Sequence, residues 1–150
     1  MKYDTICYGD IMKIGFTGTK RGMTRDQKCC LIGILAVSSP DEFHHGDCVG
    51  ADEQAHSIAT NLTENVIIHP PIKDILRAFC EAKTILPPKD YLDRNHDIVD
   101  ACDLLVATPC TRYEVTRSGT WATIRYARKR NKQIIIIWPE GDYAKENVEK

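Results

Sequence analysis

The feature that most constrains this chain is the run QIIIIW at positions 133–138. Four consecutive isoleucines are β-branched, which favours a strand, and no polar residue interrupts them. A strand with one face in water alternates polar and apolar residues, whereas this run is apolar on both faces. The sequence therefore predicts an interior strand of a parallel sheet that helices cover on both sides.

The rest of the chain alternates short apolar runs with amphipathic segments. Residues 13–17, 42–45, 66–69 and 103–107 predict four further strands. Helices are predicted over residues 25–37 after an N-cap at Thr24, and over residues 51–61, 72–80, 91–101 and 118–130. This alternation is typical of an α/β sandwich with a mostly parallel sheet of about five strands. Right-handed crossovers leave few strand orders, and we expect the Rossmann-like order 3-2-1-4-5.

The 150 residues fit one domain. We expect an N-terminal extension over residues 1–12, a Rossmann-like domain over 13–138 and a polar, mobile C-terminal tail over 139–150. Twenty basic and 21 acidic side chains give a net charge of -1, which does not favour a nucleic-acid or membrane partner. No segment reads as a signal peptide or a membrane span.

The cysteines and histidines favour reduced thiols and no metal site. Seven cysteines without CxxC spacing suit a reducing compartment, so we expect a cytoplasmic protein. No ligand pair has the spacing of a zinc finger. The adjacent His44 and His45 would point to opposite faces of a strand, so a metal pair is not expected. Nothing in the sequence calls for a cofactor.

Polar, glycine-bearing loops follow the first, second and fourth predicted strands. Carboxyl ends of parallel strands meet at one edge, and ligands bind there where the strand order reverses. Helix N-termini offer unpaired N–H groups and a positive dipole end, which suit a phosphate. The candidate binding residues in these loops are Gly18, Thr19, Lys20, Gly46, Asp47, Gly50, Ala51, Asp52, Arg117, Ser118, Gly119, Thr120 and Trp121. Arg21 and Arg112 could add positive charge.

Several of these residues also have a purely structural interpretation. Gly18 could simply be part of a turn, and Ser118 and Asp52 could simply favour the starts of helices. Trp121 could belong to the core. No single residue decides between the alternatives. The joint placement of three loops at one edge favours a ligand site.

Three segments together resemble the SLOG superfamily, which includes the LOG proteins, formerly named lysine decarboxylases, and the DNA-processing protein DprA. The segments are HGDCVGAD at 45–52, RNHDIVDACDLLVATP at 94–109 and SGTWATIRYARK at 118–129. The resemblance covers roughly residues 13–138 and is greatest to small single-domain members. It implies a Rossmann-like fold that binds nucleotides or nucleotide-derived molecules.

LOG enzymes cleave the N-glycosidic bond of a nucleoside monophosphate with an arginine and a glutamate. The resemblance places Arg94, followed by Asn95, at the family's arginine. It places Thr123 at the glutamate, and a threonine cannot act as that carboxylate. Glu114, in a loop inserted before Gly119, and Asp52 are the remaining candidates for a catalytic carboxylate.

We therefore expect a protein that binds a nucleotide-derived small molecule as a sensor, carrier or sequestering protein. The alternative is an N-glycosidase acting on nucleoside 5′-monophosphates with Arg94 and a carboxylate from Asp52 or Glu114. Binding of nucleic acid is not expected, because it depends on neutralising phosphates with positive charge and this chain has a net charge of -1. The resemblance also implies a homo-oligomer.

Overall fold

The computed structural model describes residues 12–147, which form an α/β sandwich around a seven-stranded sheet. The strands are β1 Lys13–Gly18, β2 Glu42–His45, β3 Val66–Ile68, β4 Thr84–Ile85, β5 Leu104–Thr108, β6 Gln133–Ile137 and β7 Tyr143–Glu146. The helices are α1 Arg25–Ser38, α2 Ala51–Ala59, α3 Tyr91–Ala101 and α4 Gly119–Lys129, with a 3₁₀ turn at Asp74–Leu76.

The sheet order is β4-β3-β2-β1-β5-β6-β7, and every pair is parallel except β6 with β7. Ile14 of β1 lies between Phe43 of β2 and Leu104 of β5. The five predicted strands take the predicted order, as β3-β2-β1-β5-β6, so the Rossmann-like fold class is confirmed. The strand order reverses between β1 and β5.

The isoleucine run explains why both faces of the sheet are covered. Ile135 and Ile137 belong to the apolar core that α1 and α2 close, whereas Ile134 and Ile136 belong to the core that α3 and α4 close. All four side chains are fully buried. The predicted interior strand is confirmed.

The predicted N-cap of α1 is also confirmed. The Thr24 hydroxyl accepts from the Gln27 N–H at 3.0 Å, and the Gln27 side chain accepts from the Thr24 N–H at 2.9 Å. This capping box satisfies two of the N–H groups that a helix start leaves free. Helix α1 therefore begins directly after the loop that follows β1.

The predicted helix over residues 72–80 is wrong, since only the three residues Asp74–Leu76 form a 3₁₀ turn. The backbone beyond this turn is bonded elsewhere, because the N–H groups of Ala78 and Cys80 donate to Asp47 at 2.8 and 2.9 Å. An α-helix would need those groups for its own carbonyls. Contacts distant in sequence therefore override the local preference.

The expectation of a mobile tail is also wrong for the part that the structure describes. Gly141, at φ 96°, lets the chain turn back, and β7 pairs antiparallel with β6. Glu146 accepts two hydrogen bonds of 2.8 Å from Arg128 of α4, which fastens the strand to the helix. Residues 1–11 and 148–150 lie outside the described residues, so most of the predicted N-terminal extension does too.

The six cysteines between residues 12 and 147 are all free thiols, whereas Cys7 lies outside that range. Within the same range, no helix has both the length and the apolar character that a membrane span requires.

Candidate functional site

The loop after β1 packs directly on the start of α2. The Thr19 carbonyl accepts from the Ala51 N–H at 3.0 Å. Gly50 has φ 93°, and a Cβ there would overlap the carbonyl oxygen of Lys20. The Ala51 N–H, the first of α2, is therefore bonded to the protein's own backbone and is not free for a phosphate.

Gly18 has a structural role at the end of β1. A Cβ at this position would lie 2.5 Å from the Ala51 Cβ and 2.5 Å from the Thr108 hydroxyl oxygen. Only glycine lets β1, α2 and β5 approach so closely. A structural role of Gly18 therefore has direct support, although it is close packing and not the turn that the sequence suggests.

Asp47 fastens the loop after β2 to residues 77–80. Its carboxylate is fully buried, pairs with the Arg77 guanidinium at 2.8 Å and accepts from the Cys80 N–H at 2.9 Å. Its backbone has φ 58°, a left-handed conformation that Asp tolerates better than most residues. Asp47 shapes the site, and its oxygens are already engaged by the protein.

Arg94 of α3 is the centre of the site, with only 4% of its surface exposed. Its Nη1 donates to the carbonyl oxygens of Gly46 and of His69, the latter at 3.0 Å, and its Nη2 lies 3.5 Å from the Cys48 sulfur. The Nε atom is buried without a hydrogen-bond partner. A Cβ on Gly46 would overlap the guanidinium, so this glycine makes room for the arginine.

Asp52 is also buried and lies beside Arg94, since a Cβ on Gly46 would lie 3.0 Å from its Oδ2 atom as well as against the guanidinium. Its carboxylate accepts from the Cys48 N–H at 3.1 Å. Burial raises the pKa of Asp52 to about 6, although the positive charge of Arg94 acts in the opposite direction. A carboxyl group that titrates near neutral pH beside a guanidinium can hold or release a proton there.

A cavity of about 150 Å³ lies beside Arg94 on the side of β3 and β4. His69, Leu86, Pro87, Lys89, Arg94 and Asp97 line it. Lys89 and Asp97 form an ion pair of 2.6 Å, so Arg94 is left as the unbalanced charge in the wall. Asn95, the next residue on α3, is also buried.

Paired histidines, which the sequence did not predict, surround this region. His44 Nδ1 lies 2.8 Å from His69 Nε2, and His45 Nε2 lies 2.9 Å from His56 Nδ1. Burial lowers the pKa of His45 to about 3 and that of His69 to about 4. The position of His69 directly after β3 was the available signal, since side chains there face the ligand edge.

The donor atoms of His45, His56 and Cys80 lie within 4.8 Å of one another, close enough to share a metal ion. The hydrogen bonds argue against that use. His45 Nδ1 accepts from the Asp47 N–H at 2.9 Å, which leaves the ring proton on Nε2, the nitrogen facing His56. To bind a metal ion through Nε2, His45 would instead need a lone pair on Nε2 and its proton on Nδ1.

The start of α4 lies beside the start of α3. Ser118 caps α4, because its hydroxyl accepts from the Trp121 N–H at 3.2 Å. A Cβ on Gly119 would lie 3.8 Å from the Tyr91 ring of α3. Ser118 therefore acts as the N-cap of α4. A phosphate at this helix start would bind the N–H groups of Gly119 and Thr120.

Trp121 lies in the core, 3% exposed, rather than at the ligand edge as predicted. It packs with Ile124 and Ala127, and its indole N–H has no partner. Thr123, at the position of the LOG glutamate, is buried, and its hydroxyl donates to the Gly119 carbonyl at 2.9 Å. Neither side chain is available to a ligand in this arrangement.

The inserted loop is held away from Arg94. Glu114, one of the two candidate catalytic carboxylates, pairs with Arg125 of α4 at 2.8 Å. Arg112 pairs with Asp142 at 2.8 Å and lies over the ring of Trp138. These exposed ion pairs join the loop to α4 and to the turn before β7. Arg117 and Lys20 are exposed at this end of the sheet.

Gln27 is a further buried polar residue that the sequence did not predict. Its amide nitrogen donates to the carbonyl oxygens of Pro109 and Ile137 at 2.8 and 2.9 Å. It thereby joins the carboxyl ends of β5 and β6 and satisfies two carbonyl groups that the sheet leaves free.

Neither a protein-family model nor a curated protein matches the chain. A solved structure does: the molybdenum cofactor binding protein from the phototrophic bacterium Rippkaea orientalis. It is similar to this chain with a TM-score of 0.68 and 20% identity, over 87% of this chain and 78% of that one. At this identity the similarity concerns the fold, and this chain is a Rossmann-like α/β protein.

Proposed function

We propose that the protein binds a nucleotide or nucleotide-derived ligand at the carboxyl edge of the sheet, with Arg94 holding an anionic group. The observation that carries this proposal is that Arg94 is buried and forms no direct ion pair, although the buried Asp52 carboxyl lies near enough to feel its charge. Its contacts are two carbonyl oxygens and a thiol, so its charge has no bonded counter-ion. A buried guanidinium without a direct ion pair is costly, and an anionic ligand bonded to it would reduce that cost.

The free part of the guanidinium also matches an anion. Nε has no partner and Nη2 contacts the Cys48 sulfur at 3.5 Å, whereas Nη1 is occupied. Nε and Nη2 are the side-on pair of donors with which arginine binds phosphate or carboxylate in a bidentate way. This favours a phosphate-bearing ligand over a neutral one.

The size of the cavity limits what enters it. An apolar cavity of about 150 Å³ holds a benzene molecule, that is, about six heavy atoms. One phosphate or one ring of a nucleotide fits, so the remainder would extend along the edge towards Gly119. The resemblance to the SLOG superfamily supports a nucleotide as the source of this group.

Calorimetry against a panel of nucleoside monophosphates, cyclic nucleotides and ADP-ribose tests the proposal. Arg94→Lys keeps the charge but removes the side-on donor pair, so we expect affinity to fall about tenfold or more. Arg25→Ala, an exposed arginine at the start of α1, serves as the matched control and should leave affinity unchanged. No binding of any panel member at millimolar concentration would contradict the proposal.

A second candidate, N-glycosidic hydrolysis of nucleoside 5′-monophosphates, is favoured by Asp52. Burial raises the pKa of this carboxyl group to about 6, close to the range that general acid–base catalysis needs, and Arg94 lies nearby. Chromatography for released free base decides between enzyme and binder. Asp52→Asn should abolish release and retain ligand binding if the enzyme interpretation is right.

We also propose that a second copy of the chain covers the segment 72–92. This segment exposes seven large apolar side chains: Ile72, Ile75, Phe79, Ile85, Leu86, Tyr91 and Leu92. At about half exposure each, they present on the order of 500 Å² of apolar surface, against the roughly 800 Å² per partner of a standard interface. So large an apolar area favours an interface between copies.

A further inference from the structure

Three polar side chains form a continuous hydrogen-bonded series from the surface to the cavity beside Arg94. Glu42 Oε1 lies 2.9 Å from His44 Nε2, and His44 Nδ1 lies 2.8 Å from His69 Nε2. The Glu42 side chain is about one-third exposed, whereas both histidines are buried and His69 lines the cavity. These three side chains thus connect solvent to the cavity through two hydrogen bonds.

The direction of these hydrogen bonds follows from the chemistry of the end group. The ionised Glu42 carboxylate can only accept, so His44 carries its proton on Nε2 and presents a lone pair at Nδ1. His69 must then donate from Nε2, which leaves its Nδ1 without a proton. Among the described residues, no group donates to His69 Nδ1. An acceptor nitrogen therefore remains on a ring that lines the cavity.

Burial keeps both rings neutral. His44 faces Glu42 and Lys13, and burial lowers its pKa. His69 faces His44, Asp97, Arg94 and Lys89, and burial again has the largest effect, which lowers its pKa. Since each neutral ring carries a single proton, the tautomers assigned above hold at neutral pH.

We propose that Glu42, His44 and His69 form a proton relay into this cavity, which therefore takes an anionic group that also carries an O–H or N–H donor. The inference rests on the proposed function, because Arg94 is the group that holds the anion. The ligand donor hydrogen-bonds to His69 Nδ1 while the negative oxygens face Arg94. This combination describes a protonated phosphate better than a fully deprotonated oxyanion.

The relay moves one proton without any change in redox state. The ligand X–H bond breaks and a bond forms from that proton to His69 Nδ1. The proton on His69 Nε2 then passes to His44 Nδ1, and the proton on His44 Nε2 passes to Glu42 Oε1. A proton leaves the ligand and one arrives at a carboxylate in contact with solvent, which is what activation of an O–H group requires.

Inorganic phosphate and sulfate test the relay at about pH 8. Both anions are then mainly doubly charged and similar in shape, but phosphate carries one O–H group and sulfate carries none. We expect phosphate to bind roughly tenfold more tightly, because sulfate leaves His69 Nδ1 facing another acceptor. NMR titration of the protein labelled with ¹⁵N in its histidine rings reads both the affinity and the tautomer of His69.

Glu42→Gln is the informative variant, since an amide can donate to His44 as well as accept and so releases both tautomers. The side chain is partly exposed and similar in size, so the fold should tolerate it. We expect the preference for phosphate to fall to within about twofold. Exposed Glu64→Gln is the matched control and should keep the tenfold preference.

The outcomes separate the relay from the anion site. Equal binding of phosphate and sulfate by the unaltered protein overturns the relay and leaves the Arg94 site standing. A phosphate preference that survives Glu42→Gln also overturns the relay. Binding of neither anion overturns the Arg94 site and, with it, this inference.

Discussion

Acidification should destabilise this protein well above the pH at which most proteins unfold, because His44, His45 and His69 are buried in their neutral form. Burial lowers the pKa of His45 to about 3 and that of His69 to about 4, from 6.5. As the pH falls below 6.5, these histidines bind protons in the unfolded protein but remain neutral in the folded protein. The contribution of these rings to the free energy of unfolding is therefore fully present above pH 6.5. It is lost progressively as the pH falls towards their pKa values in the folded protein.

The magnitude follows from the same pKa values. At pH 5 His45 and His69 each cost about 2 kcal/mol relative to pH 8, and the lowered pKa of His44 acts in the same direction. Asp52 acts in the opposite direction, because burial raises its pKa to about 6 from 3.8, and its folded form gains a proton first. That offset is about 1.4 kcal/mol at pH 5, which leaves a net loss of about 3 kcal/mol. A small domain has only about 5–15 kcal/mol in total.

Urea unfolding at pH 8, 6.5 and 5 measures this loss directly. The variant His45→Asn removes one of these buried rings, so the difference between pH 8 and pH 5 should shrink by about 2 kcal/mol, whatever the absolute stability of the variant. His96→Asn, on the exposed face of α3, is the matched control and should retain most of the difference. A free energy of unfolding that stays constant from pH 8 to pH 5 would refute the reasoning.

Three further substitutions test the packing around the site and the proposed interface. Gly46→Ala forces a Cβ against the Arg94 guanidinium and should lower the free energy of unfolding by about 2 kcal/mol in urea. Gly33→Ala is its control, because a Cβ there meets nothing within 4 Å, and should raise stability by about 0.5–1 kcal/mol. Asp47→Asn keeps the shape but removes the buried charge facing Arg77, so thermal unfolding should show a loss of about 3 kcal/mol. Ile72→Asp should shift the sedimentation coefficient from that of a dimer to that of a monomer with an unchanged circular dichroism spectrum; a variant that sediments like the unaltered protein contradicts the proposed interface.

Local patterns were enough to predict the central sheet. The β-branched run of β6 and the capping residue Thr24 act over a few neighbouring positions, so they can be read without knowledge of the fold. Segment 72–80 could not be predicted in the same way, because its conformation depends on Asp47, which lies some 30 residues earlier. The strand β7 likewise depends on its hairpin contact with β6.

The candidate site shows a similar division. Gly18 and Gly50 lie at the carboxyl edge of the sheet, but a sequence cannot tell whether a glycine makes room for a ligand or for the chain itself. Arg94 was identified through family resemblance, since arginine is rarely buried and its burial leaves no pattern. His69 was missed because its role depends on pairing with His44, 25 positions away.

The central claim is that Arg94 holds an anionic group of a nucleotide-derived ligand. Its most direct test is a ¹H–¹⁵N NMR titration of the protein with a nucleoside 5′-monophosphate. We predict saturable shifts centred on Gly46, His69 and the Arg94 guanidinium Nε, and their loss in Arg94→Lys. An absence of shifts at these groups up to millimolar ligand, or equal shifts in the Arg94→Lys variant, would contradict the claim.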